Sequence, residues 1–470
     1  MTKASTVSSS SDSAGHASTA SGGHQLTRPM MIGWGIGTIG PIMLLSSVNA
    51  LQLRFITDFV GLSAGVASLL IVISKLYDAF ADPTMGWISD HTTSRWGRRR
   101  PYLIVGGLML ALSLVAMFTV PPFESTQARV IYTGAVLVFY ATAYTVFNIP
   151  YMSMPTEMTS TAPERTEIMS YRVYAVGISQ IISMFLGAAL VQKMGGGAMA
   201  YTKMAVILAP VVMISAIIAF MATKRAPFTV RSHVKTPFME QARSVVTNRP
   251  YMILIFVKFL TLMTLSAQSI FPFFFGNILG ADLLKLGTYF AVVSLAFIFS
   301  QPLWVWMSAK YGKAFSYRFA LLIAIPLWLS WLWAGAAEPM YLIYVRAALI
   351  GITGGGALLA GQSLLPDTME YDYLRTGLRR EGIFAGFYTT VEKLAGAVGI
   401  GLVGFFLSHA GYIESRGAHV VQPQSALTAI QYIVALLPAV LSLAGGIAMM
   451  FYNLSESKLQ ALRDIGPPKA

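Results

Sequence analysis

Lys75, Asp78 and Asp82 stand inside an otherwise apolar stretch that runs on into a basic loop, KLYDAFADPTMGWISDHTTSRWGRRRPY, residues 75–102. Their i, i+3, i+7 spacing puts all three on one helical face within about two turns, at roughly 100° per residue. A charge at mid-bilayer costs at least ~2.5–3.5 kcal/mol, so that face turns away from lipid. Two carboxylates one turn apart, with a hydroxyl such as Thr145 nearby, supply the oxygen ligands of a hard monovalent cation. Na⁺ or H⁺ bound there also removes the repulsion between the two acids. The competing arrangement is an internal ion pair of Lys75 with one aspartate that only fixes helix packing, and it leaves the other carboxylate unpaired.

Five more charges lie within apolar stretches: Arg172, Lys258, Arg346, Glu392 and Lys393. Lys258 and Arg346 sit about two turns from helix ends and read as snorkelling side chains. Glu392 and Lys393 are adjacent, about 100° apart on a helix, so they cannot share one narrow face. Lys393 is expected to enter the cavity and reach the carboxylates or a solute, with Glu392 paired elsewhere. Arg172, near Tyr171 and Tyr174, has the fork geometry to clamp hydroxyls or a carboxylate. Asn148 and Tyr151, beside the helix-kinking Pro150, and the ring of Tyr388 complete the expected solute contacts. For each of these, helix packing is the competing role. Asp90 with Arg95, Arg98, Arg99 and Arg100 can form charge-assisted contacts that close the cytoplasmic side and break as the structure rocks, with Lys75 coupling them to the acid pair. Solvated arginines that only set topology are the alternative.

The elements that must position these residues follow from composition. The chain is 55% hydrophobic and 11% charged, with mean hydropathy +0.62, which places it among polytopic membrane proteins. It has no cysteine, so disulfides, thiolate metal sites and Cys nucleophiles are excluded. From Pro29 onward twelve apolar segments are long enough to span a ~30 Å hydrocarbon core, the first near 30–56 and the last near 424–452. The polar stretch 224–249 divides them into a bundle over 29–223 and another over 250–453, with a disordered tail at 1–28 and a second tail at 454–470. Lys and Arg concentrate in the loops that are cytoplasmic if the N-terminus is inside, so both termini are expected there, in a bacterial inner (plasma) membrane. The net charge of +13 is then topology and lipid attraction rather than nucleic-acid binding. The loop after the second segment, from Gly86, has a weak counterpart after the eighth, from Pro302, as expected of repeated halves around a midplane site. No phosphate loop, zinc spacing or nucleophile elbow marks an enzyme.

Five ordered stretches carry a family resemblance: TDFVGLSAG from Thr57, YDAFADPTMGWISDHTTSRWGRRRPY, NIPYMSMPTEM, ERTEIMSYR from Glu164, and LLPDTMEYDYLRTGLRREGIFAGFYTTVEK from Leu364. Together they resemble the glycoside–pentoside–hexuronide cation symporters, the melibiose-permease branch of the major facilitator superfamily. The resemblance implies an all-α integral membrane protein of twelve transmembrane helices in two six-helix bundles. It also implies symport of a sugar-like solute with Na⁺ or H⁺, no other cofactor, contact with membrane lipid, and function as a monomer. The family's coupling-cation residues fall on Asp78, Asp82 and Thr145, its fifth-helix arginine on Arg172 and its eleventh-helix lysine on Lys393. The acids that hold galactosides in the melibiose carrier fall near Pro41 and Ile42 and on Asn148, its nearby tryptophan on Met152, and a cation-site asparagine on Ala81. A hexuronide or a neutral glycoside is therefore the expected solute, with a lysolipid as the alternative on the same fold. A membrane sensor or enzyme is the remote one.

Overall fold

The computed structural model describes residues 26–158, 162–226, 246–377, 381–414 and 420–466, and these contain helices and no strand. Each of the twelve expected segments falls on a helix. We number them α1 (Arg28–Val60), α2 (Ala64–His91), α3 (Pro101–Met117), α4 (Thr126–Met158), α5 (Glu167–Lys193), α6 (Gly197–Ala222), α7 (Arg249–Asn277), α8 (Leu283–Phe299 and Gln301–Tyr311), α9 (Lys313–Trp333), α10 (Met340–Thr376), α11 (Glu381–His409) and α12 (Gln424–Ala448). Ten are long and apolar enough to cross a membrane, and α8 makes eleven if its two parts, bent by 43°, count as one span. Helix α3 has 17 residues, which at 1.5 Å each is about 26 Å, at the short limit of a span. Large apolar side chains such as Leu69, Leu108, Leu112, Ile131, Phe299 and Val440 stand exposed. Water would not tolerate so many, and hydrocarbon does.

Helix ends follow local rules. Gly61 closes α1 in the left-handed region at φ 72°, which only glycine adopts cheaply, and Leu62 N–H then returns to Ile56 O. Ser63 caps α2 by accepting from Val66 N–H. Asn248 caps α7 through Tyr251 N–H while donating to Thr368 O of α10, tying two helices with one side chain. The stretch expected as a C-terminal tail carries a thirteenth helix, α13 (Glu456–Ile465), fixed to α10 by Arg463 on Glu370 at 2.7 Å. The expected N-terminal tail and the linker lie almost wholly outside the described residues.

Helices α1 to α6 pack on one another, as do α7 to α12, and the two groups meet through α2 against α11, α5 against α8 and α1 against α7. At the end where α1 turns into α2, a polar lock crosses between them. Arg54 donates to Pro272 O at 2.5 Å and to Asp58 at 2.9 Å, and Tyr412 donates to the other Asp58 oxygen at 3.1 Å. Gln192 of α5 donates to Asp282, the cap of α8, at 3.1 Å. Close by, Gly404 lets α11 approach α2 so tightly that a Cβ there would meet Ser68 at 2.1 Å.

The opposite end departs from expectation. Arg99 binds Asp90 at 2.5 Å and Glu157 at 3.0 Å, Arg98 binds Glu157 at 2.6 Å, and Arg100 donates to Phe220 O at 2.6 Å. Arg95 lies over Trp96. Every one of these partners belongs to the first bundle, so in this conformation the arginine loop clasps α2, α3, α4 and α6 rather than bridging the bundles. The weak repeat has a physical counterpart: Lys313 at the start of α9 pairs with Asp367 of α10 at 2.7 Å, as Arg99 at the start of α3 pairs with Glu157 of α4.

Three outcomes follow. Arg54→Met with Tyr412→Phe removes hydrogen bonds worth about 1 kcal/mol each, shifting the closed-to-open ratio at this end roughly tenfold or more. Spin labels on introduced Phe123→Cys and Val421→Cys should then report longer distances, and an unchanged distribution counts against the lock. Gly404→Leu should produce the same shift by steric exclusion. Arg99→Ala removes one of the two arginines on Glu157, which is buried, and should cost about 2 kcal/mol in thermal unfolding.

Candidate cation and solute site

The acid pair lies where α2, α4 and α11 converge. Asp78 is 3% exposed and its Oδ1 has no hydrogen-bond partner. Asp82, one turn on, accepts from Thr145 Oγ1 of α4 at 2.7 Å. Lys393 of α11 crosses from the second bundle, with Nζ 3.9 Å from Asp78 Oδ2 and in direct contact with Asp82 Oδ2. Asp78, Asp82, Thr145 and Lys393 are therefore brought together. Pro83 follows Asp82 inside α2 and cannot donate to the carbonyl four residues back, which weakens the helix beside the pair.

Lys75 departs from its expected place. Its ammonium lies over the Tyr140 ring, 5.4 Å from the centroid, and no carboxylate lies within 4 Å of it among the described residues. The direct contact on Asp82 comes from α11, while Lys75 acts on Asp78 through its charge at longer range. Tethering α2 to α11 by Lys393 leaves Lys75, on the α4 side of its helix, with an aromatic face as its neighbour.

Arg172 of α5 keeps a buried Nε without a hydrogen-bond partner. Its charge falls on Tyr144 of α4, and the same phenol lies within electrostatic reach of Asp78 and of Glu392. Tyr144 thus marks the point where charges from α2, α5 and α11 converge, and sequence reasoning missed it. Its signal was its i−4 spacing from Asn148, which is itself partly exposed on α4.

Tyr151 does not reach this space. Its ring stacks on Trp34 with centroids 4.6 Å apart, and its hydroxyl donates to Trp34 O and shares a hydrogen bond with Thr38 Oγ1 at 2.9 Å. Both capacities of the phenol are used and the residue is 1% exposed, so it belongs to the packing of α4 on α1. Tyr388 carries the Lys258 ammonium on its ring. Lys258 is not snorkelling: it is buried and pairs with Glu392 at 2.6 Å. Glu392 is thus paired away from Lys393, as its position 100° round the helix requires. Arg346, also read as snorkelling, pairs with Glu338 at 2.6 Å and with Ser330 Oγ at 3.0 Å.

The described residues contain no group of three or more His, Cys, Asp or Glu side chains fit to hold a metal ion. Two carboxylates and a hydroxyl suit a proton or a monovalent hard cation, and a positively charged amine already occupies the same oxygens.

Residues 33–456 match the family described as MFS/sugar transport protein. An isoprimeverose transporter of Lactiplantibacillus pentosus is 29% identical over 430 residues, covering 89% of this chain and 87% of that protein. Two Escherichia coli proteins are each 25% identical: a glucuronide carrier protein homolog, with 93% of this chain and 95% of that protein covered, and one named provisionally as a glycoside/cation symporter, with 93% and 94% covered. Among solved structures, a bacterial homolog of the human lysosomal transporter Spinster, in an inward-facing and occupied conformation, superposes with a TM-score of 0.67 at 13% identity, covering 92% of this chain and 97% of that one. That likeness is one of fold. The chain is an integral membrane protein with the major facilitator fold, a transporter rather than an enzyme, and belongs to the MFS/sugar transport protein family.

Proposed function

We propose that this chain is a secondary active transporter that carries a sugar-like solute together with a cation, Na⁺ or H⁺, by alternating access across a bacterial inner membrane. The observation that carries the reading is Lys393 lying across Asp78 and Asp82. A cation entering that place competes with the ammonium for the same oxygens, neutralises the acids and sets Lys393 free. Freed, Lys393 adds a donor to the space around Tyr144, where Arg172 already has one unused. Cation and solute then favour the same arrangement, and the coupling between them is reciprocal.

The names of the relatives, an isoprimeverose transporter and a glycoside/cation symporter, support a sugar and a coupling cation. Asn148, Arg172 and Lys393 are the solute contacts in this reading, Asp78, Asp82 and Thr145 the cation ligands, and the Tyr388 ring, expected to stack on the solute, carries Lys258 instead. With both termini cytoplasmic, the end locked by Arg54, Asp58 and Tyr412 faces outward, which makes this the inward-facing state. The bundles over 29–223 and 250–453 then rock about the linker 224–249, and in the other state the loop of Asp90, Arg95, Arg98, Arg99 and Arg100 becomes the part of the first bundle that meets the second. Every residue involved comes from one chain, so a monomer suffices. A lysolipid fits less well, because its chain would lie against Arg172, Lys393 and Glu392 without satisfying them.

Proteoliposome uptake tests the reading. A Na⁺ gradient or a pH gradient should stimulate sugar uptake by an amount in the usual coupling range, about 5–150-fold. Asp78→Asn and Asp82→Asn should each abolish the stimulation. Variants that keep full stimulation would remove the acid pair from the mechanism, and comparison of the two gradients identifies the ion.

A further inference from the structure

We propose that Glu392 is the residue by which this transporter recognises the hydroxyl groups of a neutral sugar, held in position by Lys258 and Tyr388, and that it disfavours anionic sugars. The proposal rests on the sugar-transport reading above and assigns specificity within it.

The Lys258–Glu392 pair is lopsided. The lysine side chain is 7% exposed, sealed within the second bundle over the Tyr388 ring, whereas the carboxylate side chain is 44% exposed. An ionised carboxylate at mid-helix cannot spend that exposure on lipid, so its open side faces the water-filled space between the bundles. Tyr144 of α4 agrees with that placement, since Glu392, Arg172 and Asp78 all act on the one phenol. Only Glu392 Oε1 is engaged by Lys258, which leaves Oε2 as a free acceptor aimed by a fixed partner.

A carboxylate so placed accepts hydrogen bonds from neighbouring hydroxyls of a sugar, and such charge-assisted bonds are about twice as strong as neutral ones. Of the other acids near the space, Asp82 accepts from Thr145 and Lys393, and Asp78, although its Oδ1 has no hydrogen-bond partner, is 3% exposed and closed to a solute. The first helix offers Pro41 and Ile42, both buried, and the fourth offers the uncharged Asn148. Glu392 is therefore the acid with capacity left for hydroxyls. The same charge repels a uronide carboxylate against the attraction of Arg172 and Lys393, so Glu392 shifts the preference toward the neutral class. Lys258 and Tyr388 are positioning residues: they hold the carboxylate and do not themselves need to touch the solute.

Thermal unfolding and competitive uptake on the purified full-length chain test this, with isoprimeverose and a methyl glucuronide as probes in Na⁺ and at low pH. Glu392→Gln should weaken isoprimeverose binding about 10-fold or more while strengthening glucuronide binding, and cation-induced stabilisation should persist. Because Glu392→Gln leaves Lys258 buried without its partner, which destabilises the fold, the double variant Lys258→Met/Glu392→Gln removes both charges and should show the same opposed changes. A purely structural pair would lower both ligands alike. Stable variants that bind isoprimeverose as the wild type does, or that lose both sugars in parallel, overturn the proposal. A wild-type protein that responds to cation but to no sugar overturns the transport reading itself, and this assignment with it.

Discussion

Lys393 brings a positive charge from one bundle onto two carboxylates of the other, at the middle of an apolar molecule where neither sign can be left bare. That single contact ties the charge on α2 to the packing of α11. The same pair of helices supplies the tight surface between the bundles, with Gly404 against Ser68, Gly401 against Val72 and Gly65 against Ser408. Small residues permit the approach, and the charge pair sits further along the same seam. Any ion that displaces the lysine therefore alters a helix interface as well as a charge.

The two ends of the molecule are built differently. Where α1 meets α2, hydrogen bonds from Arg54 and Tyr412 cross between bundles, and the T-shaped contact of Tyr412 with Phe273 adds aromatic packing to the second half of the lock. At the other end the ion pairs stay within a bundle: Arg99 and Arg98 on Glu157 in the first, Lys313 on Asp367 in the second. These internal clasps make each bundle rigid near the loops that must part and meet. Rigid halves with a breakable lock at one end are what rocking between two states requires.

Much of this was legible in the residues. Apolar length alone located twelve helices, including α3 at the short limit and α8 with its bend, because hydrocarbon imposes a fixed length on anything that spans it. The i, i+4 step from Asp78 to Asp82 and the 100° offset of Glu392 from Lys393 announced which charges share a face. Thr145 and Lys393 reached the acids as their sequence context implied. Tyr151 did not, because a tyrosine in an apolar helix packs equally well toward a neighbour or a cavity, and Trp34 and Thr38 on a helix over a hundred residues away decided the matter. Lys75 keeps Asp78 within reach of its charge, as its spacing implied, but makes no contact pair with it, because the neighbouring α4 offers an aromatic face. Glu157, Tyr144 and the Arg54 lock each depend on a partner from another helix, and one-dimensional spacing is blind to such partners.

By itself the sequence determined the class, the positions of the apolar helices and the face of α2 on which two acids stand, since these follow from hydropathy and helical period within short windows. Only the tertiary structure decided which charge neutralises which. Ion pairing in a low-dielectric interior acts over a few ångströms between helices far apart in the chain, so the contact of Lys393 with Asp82, the pairing of Glu392 with Lys258 and the hold of the arginine loop on the first bundle were decided by packing.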